Sequence, residues 1–128
     1  MIEDVFNVDT VSGYKDWYNG KQHVVSGFTW RISVYSSSLY VVLFLDDVED
    51  KSITSCNVDI TYKVINKTDD RQSVVKQYNG TVKPGSFTCD TDLIDWKRLS
   101  NPVSGFIDHH RNFTIQTTIN KITNIVRD

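Results

Sequence analysis

The sequence predicts an all-β fold, an antiparallel sandwich or barrel, and three observations carry that expectation. Val, Ile and Thr are frequent and 12% of the residues are aromatic, which are the side chains that fit a pleated, half-buried surface. Several segments alternate apolar and polar residues with the period of a strand,. Polar turn clusters separate these segments, while alanine is absent and helix formers are scarce,.

The elements follow in chain order. Residues 1–20 are mixed in character and carry Gly13 and Asn19-Gly20, which predicts an extended lead-in ending in a turn, with the β domain over 21–124,. From His23 to Tyr35, the residues Phe28, Trp30, Ile32 and Val34 alternate with Thr29, Arg31 and Ser33, as one half-buried strand would,. Ser36-Ser37-Ser38 supplies a turn. Leu39 to Leu45 is apolar throughout, so both faces of that strand must be covered,. Its parity separates Leu39, Val41, Leu43 and Leu45 from Tyr40, Val42 and Phe44, so one set meets the core and the other lies under a neighbour or a ligand.

Residues 46–54 read as a loop by composition. Val58, Ile60, Tyr62 and Val64 then alternate with Asp59, Thr61 and Lys63 as a further strand,. Asn66 to Arg71 supplies turn residues. Residues 73–82 give more strand material, the second part following a hairpin-like Asn79-Gly80, and Lys83-Pro84-Gly85 ends it,. Leu93, Trp96 and Leu99 recur at three-residue spacing, which predicts a short helical turn within 91–100 that Asn101-Pro102 halts,. Phe113, Ile115, Thr117 and Ile119 against Thr114, Gln116 and Thr118 form the last strand signature,.

Length and charge narrow the function classes. A chain of 128 residues can bury the core of one domain without a metal or a disulfide framework,. Lysine and arginine number 14 against 16 acids, a formal charge of −2 with no long block of either sign. Nucleic acid and membrane surfaces are therefore not expected partners. The apolar stretch from Leu39 to Leu45 is too short to cross a bilayer as a helix. Met1-Ile2-Glu3-Asp4 lacks the basic and then apolar pattern of a secretion signal, which predicts a cytoplasmic or nuclear location,. Cys56 and Cys89 lack zinc-site spacing and are expected to be buried free thiols,.

One run suggests chemistry. Adjacent imidazoles beside a carboxylate, as in Asp108-His109-His110-Arg111, can bind a metal or move protons,. Neighbouring residues of a strand point to opposite faces, however, and His23 is the only other histidine, so a solvated turn is the expected structure. Nucleophile elbows and glycine-rich phosphate loops are absent. The chain is accordingly expected to be no enzyme, with no catalytic residue, cofactor or metal. Trp30 and Trp96 are expected in the core. Tyr40 and Phe44 are either covered or exposed as a binding floor, and Tyr78 and Phe87 either pack across strands or join that floor.

Three stretches together resemble the MATH (meprin and TRAF homology) domain, the TRAF-like sandwich found in very many nematode proteins. Gly27-Phe28-Thr29-Trp30-Arg31-Ile32, followed by Leu39 to Leu45, is similar to that family's opening "F-x-W-x-I" strand and its apolar partner. Leu93-Ile94-Asp95-Trp96 is similar to its "F-I-x-W" turn, and Gly105-Phe106-Ile107-Asp108 to the "Y-L-x-D" segment before its last strand. The resemblance implies seven to eight antiparallel strands, no cofactor and no catalysis. It also implies capture of an extended partner peptide beside an edge strand, a mode in which main-chain hydrogen bonds supply affinity and side-chain pockets supply selectivity.

Carried over by position, the receiving strand is Ser86 to Asp92, and the peptide-binding candidates are Tyr40, Phe44, Tyr78, Phe87, Thr88, Cys89 and Asp90. At Thr88-Cys89-Asp90 the chain departs from the Trp-Gly-Phe motif of peptide-binding members. Family members that recruit ubiquitin ligases make a substrate-recognition adaptor the implied role. The chain has neither trimerisation heptads nor room for a BTB domain, so a monomer or weak self-association is expected. A sandwich that binds carbohydrate or another small ligand through its concave face is the alternative.

Overall fold

The computed structural model describes residues 1–88 and 91–128. Among them, nine strands form two antiparallel sheets around one core, and that is an all-β sandwich. The first sheet is ordered β1 (Ile2–Asn7), β9 (Asn112–Arg127), β5 (Ile53–Val64), β6 (Val74–Val82). The second is ordered β2 (Tyr18–Val25), β3 (Phe28–Tyr35), β4 (Leu39–Val48), and its far edge is shared by two short strands. Of these, β7 (Ser86–Phe87) pairs with Phe44 and Leu45 of β4, and β8 (Thr91–Ile94) pairs nearer the start of β4.

Alternation decides which side chains meet between the sheets. Leu39, Val41, Leu43 and Leu45 of β4 are all 0% exposed and pack with Trp30, Ile32 and Val34 of β3. Cys56, Val58, Ile60, Tyr62 and Val64 of β5 face them, with Phe113 and Ile115 of β9. Fully burying one such aliphatic side chain stabilises the fold by about 1.5–3 kcal/mol. Burial also pushes the Cys56 thiol up, as befits an inert core cysteine,.

Several elements differ from the sequence expectation. Residues 23–35 are not one strand: Ser26 and Gly27 adopt φ of 53° and 81°, closing a two-residue hairpin between the paired Val25 and Phe28,. The expected loop over 46–54 shrinks, because β4 runs on to Val48 paired with Thr29 and Phe28 of β3, and β5 begins at Ile53. Asn79-Gly80 is no turn but the middle of β6, facing Asp59 and Val58. Gly80 leaves the space that the Tyr78 ring occupies, and a Cβ there would make that ring shift.

The lead-in is extended but not separate, since Ile2–Asn7 pairs with β9 from Thr117 to Asn112 and buries Ile2 and Phe6. Asn7 then caps a short helix, α1 (Val8–Ser12), its side chain accepting from the amides of Asp9 and Thr10,. Within 91–100 the first four residues join β4, and only α2 (Trp96–Ser100) is helical, with Asp95 accepting from the Lys97 amide. The three-residue spacing was local, whereas the open hydrogen-bonding side of β4 is a tertiary partner that outweighs it.

Candidate functional site

The outer face of the second sheet carries a row of packed rings and charge. Arg31 on β3 stands beside Phe44 on β4, which stands beside Phe87 on β7. The two phenyl centroids are 5.0 Å apart, and the Arg31 guanidinium lies 4.3 Å from the centre of the Phe44 ring,. The same guanidinium donates two hydrogen bonds to Asp46, at 3.0 and 3.1 Å, and Gln22 adds a third. Arg31 thereby holds the Asp46 carboxyl below its usual range,. Phe87 remains 50% exposed at the end of this row.

A second aromatic group lies on the same face nearer the Ser36–Ser38 turn. Tyr35 and Tyr40 are cross-strand partners, and the Trp17 ring packs against Tyr35 at 5.7 Å. All three are half-buried. Between the two groups, Ser33 and Val42 are fully covered although they point away from the core, and the Ser33 hydroxyl donates to the Asn19 side chain at 2.6 Å.

The edge of the sheet is built differently from its face. Thr88 is 0% exposed and turned inward. Its amide donates to the Leu43 carbonyl at 3.1 Å, and its hydroxyl accepts from the Leu43 amide at 3.1 Å while lying 3.3 Å from the Tyr62 hydroxyl. A side chain here takes the place of a ladder carbonyl. Burial also drives the Tyr62 phenol well above its ordinary value,. Tyr78 is half-buried on β6 opposite Ile60, so it faces the interior at the margin of the first sheet. Lys76, two residues earlier on the same side, donates from its ammonium to the Asp92 carbonyl of β8 and so bridges the edges of the two sheets. On the opposite open side, His23 of β2 meets the buried carboxylate of Asp4 on β1 at 3.1 Å.

Among the candidates named from sequence, Phe44 and Phe87 are thus in contact and Tyr40 shares their face. Tyr78 stands across the margin on the other sheet, and Thr88 is committed to the core. Cys89 and Asp90 lie outside the described residues. Arg31, Asp46, Trp17, Tyr35 and Lys76 were not among the candidates. Arg31 and Tyr35 sat on the non-core parity of a recognisable strand, but the contributions of Asp46 and Lys76 depend on pairing distant in sequence.

The histidine run forms an exposed turn at Asp108–Arg111, with Asp108 accepting from the amides of His110 and Asn112 at 2.9 and 3.0 Å. Those hydrogen bonds keep its carboxyl below the usual range. Among the described residues no three histidine, cysteine or acidic side chains converge as a metal site would require. No helix among them is long and apolar enough to cross a membrane. Two surface depressions lie elsewhere: one of about 350 Å³ over Asn57, Asp59, Asn79 and Lys121, the other of about 510 Å³ over Phe28, Ile53 and Ile125. No protein-family model matches the chain, and no curated protein matches it.

Proposed function

We propose that the chain is a non-enzymatic interaction module of the MATH type that binds a short extended peptide of a partner protein as an added strand. The observation that supports this most directly is the far edge of the second sheet. There β7 and β8 border β4 on one side, and among the described residues no strand pairs with their other side. The half-exposed Phe87, packed against Phe44, stands beside that edge as an apolar anchor for a guest side chain,.

In this reading the guest's main chain bonds to the outward groups of β7 and β8, and its alternate side chains meet Phe87 on one face and β6 on the other. A short segment that orders on binding loses conformational freedom, so one domain binds it with micromolar rather than nanomolar affinity. A substrate-recognition adaptor in ubiquitin-dependent pathways, acting in the cytoplasm or nucleus, is the role proposed for such a module. Peptide-library selection followed by backbone amide shifts tests the reading. Shifts at Ser86, Phe87 and Thr91 to Ile94 support it, and a selected peptide that leaves those amides unmoved excludes it.

The half-buried group of Trp17, Tyr35 and Tyr40 favours a second reading, in which the outer face stacks on sugar rings,. Glycan-array binding without peptide binding would select that alternative.

A further inference from the structure

We infer that Lys76 gives this edge a preference for peptides carrying a carboxylate side chain at the position facing β6, an inference that rests on the strand-addition reading above. A strand laid outside β8 alternates its side chains, one set over the outer face and the other toward the first sheet. The inward parity of β6 presents Val74, Lys76 and Tyr78 there, opposite Val64, Tyr62 and Ile60. Among these three, Lys76 brings a full positive charge.

Among the described residues its present partner is a neutral one. Lys51, Lys63 and Lys67 each stand within ion-pair distance of a carboxylate, Asp47, Asp70 and Asp108 in turn. The Lys76 ammonium instead donates to the Asp92 main-chain carbonyl. The Asp92 carboxylate accepts instead from the Ser38 hydroxyl, in the turn before β4, at 2.9 Å.

The Asp92 carbonyl faces the margin, since it is reached from β6, and it is the kind of acceptor that a guest amide would use. A guest amide that takes this carbonyl competes with Lys76 for it. A guest that also carries an aspartate or glutamate on its inward parity supplies a replacement, and a charged one. The ammonium's bond to the carbonyl is already charge-assisted, and a guest carboxylate adds to it the attraction of an opposite charge. The exchange therefore favours an acidic guest over a neutral one. Because Lys76 is exposed, the preference is set by the upper end of what solvent-accessible ion pairs contribute, about fivefold in affinity.

The test selects peptide libraries against the wild-type domain, Lys76→Gln and Lys76→Glu, and then titrates one selected peptide and its acid-to-amide counterpart while following the β8 amide signals. The wild type is expected to enrich a carboxylate at one fixed position and to bind the acidic peptide about fivefold more tightly than the amide. Lys76→Gln is expected to bind both equally, and Lys76→Glu to reverse the preference. If both peptides shift the β8 amides of the wild type with equal affinity, Lys76 selects nothing and the inference falls while strand addition stands. If neither peptide moves those amides, the strand-addition reading falls and the inference with it.

Discussion

Thr88→Val tests the claim that Thr88 holds the sheet together rather than touching a guest. Valine keeps the branched shape and removes the hydroxyl. The change leaves the Leu43 amide, which donates to that hydroxyl at 3.1 Å, with no acceptor at a position that is fully buried. It also takes from the Tyr62 hydroxyl its neighbour at 3.3 Å. An unsatisfied buried polar group costs about 1–3 kcal/mol. Two such groups, offset in part by the more apolar valine, give a net loss of about 2–3 kcal/mol. For a domain of this size that lowers Tm by roughly 8–12 °C. Urea unfolding measures the free energy directly, and Thr88→Ser, which keeps the hydroxyl, should lose about 1 kcal/mol or less. In a double-mutant cycle Tyr62→Phe should cost less in the Thr88→Val background than alone, because its lost partner is already gone. A Thr88→Val domain within about 0.5 kcal/mol of the wild type, the scatter of neutral substitutions, would refute the claim that these hydrogen bonds hold the sheet together.

Three further outcomes follow from the same geometry. Phe87→Ala removes a ring that is 50% exposed, so stability should change by no more than about 1 kcal/mol. Peptide affinity, read by fluorescence polarisation, should fall at least about tenfold; an unchanged affinity removes Phe87 from the site. His23→Ala leaves the Asp4 carboxylate, in a residue 6% exposed, without its hydrogen-bond partner, and should lower stability by about 2 kcal/mol in urea. Adding Asp4→Asn to that variant should recover part of the loss, and no recovery would mean that the histidine ring's packing is what counts. Hydrogen bonds from Ser52 and then Arg127 hold the Asp50 carboxyl down at about 2, below the ordinary carboxylate value of about 3.9. The unfolded chain therefore binds this proton more readily, so the contribution is fully present above the unfolded value and is lost as the pH falls toward 2. Urea midpoints measured across that window should fall less steeply for Arg127→Gln than for the wild type, and identical slopes would exclude the contribution.

The core strands were legible because a pleated strand writes its burial into adjacent residues. Trp30, Ile32 and Val34, then Val58, Ile60 and Tyr62, needed no information beyond their own alternation, and the structure buries each of them. β1 was missed because Asp4 occupies an inward position between Ile2 and Phe6, and it is His23, nineteen residues away in β2, that meets that carboxylate there. The Ser26-Gly27 break was missed for a different reason: alternation continues on either side of a tight hairpin, so pattern alone does not show that the chain has reversed. Asn79-Gly80 failed in the opposite sense. Its turn chemistry was overridden by a full ladder to β5 and by the close approach of Tyr78.

By itself the amino-acid sequence determined that this chain is all-β, a sandwich or a barrel, and which residues of its main strands lie inside, since both depend on periodicity within a few residues. That the strands divide into two packed sheets was decided by long-range pairing. The candidate site was a different matter. That Phe44 meets Phe87, that Thr88 turns into the core, that Tyr78 belongs to the other sheet and that Lys76 reaches Asp92 were decided by tertiary structure alone. Which strand ends at an edge, and what stands across from it, is a property of long-range pairing, and no local pattern encodes the partner that is absent.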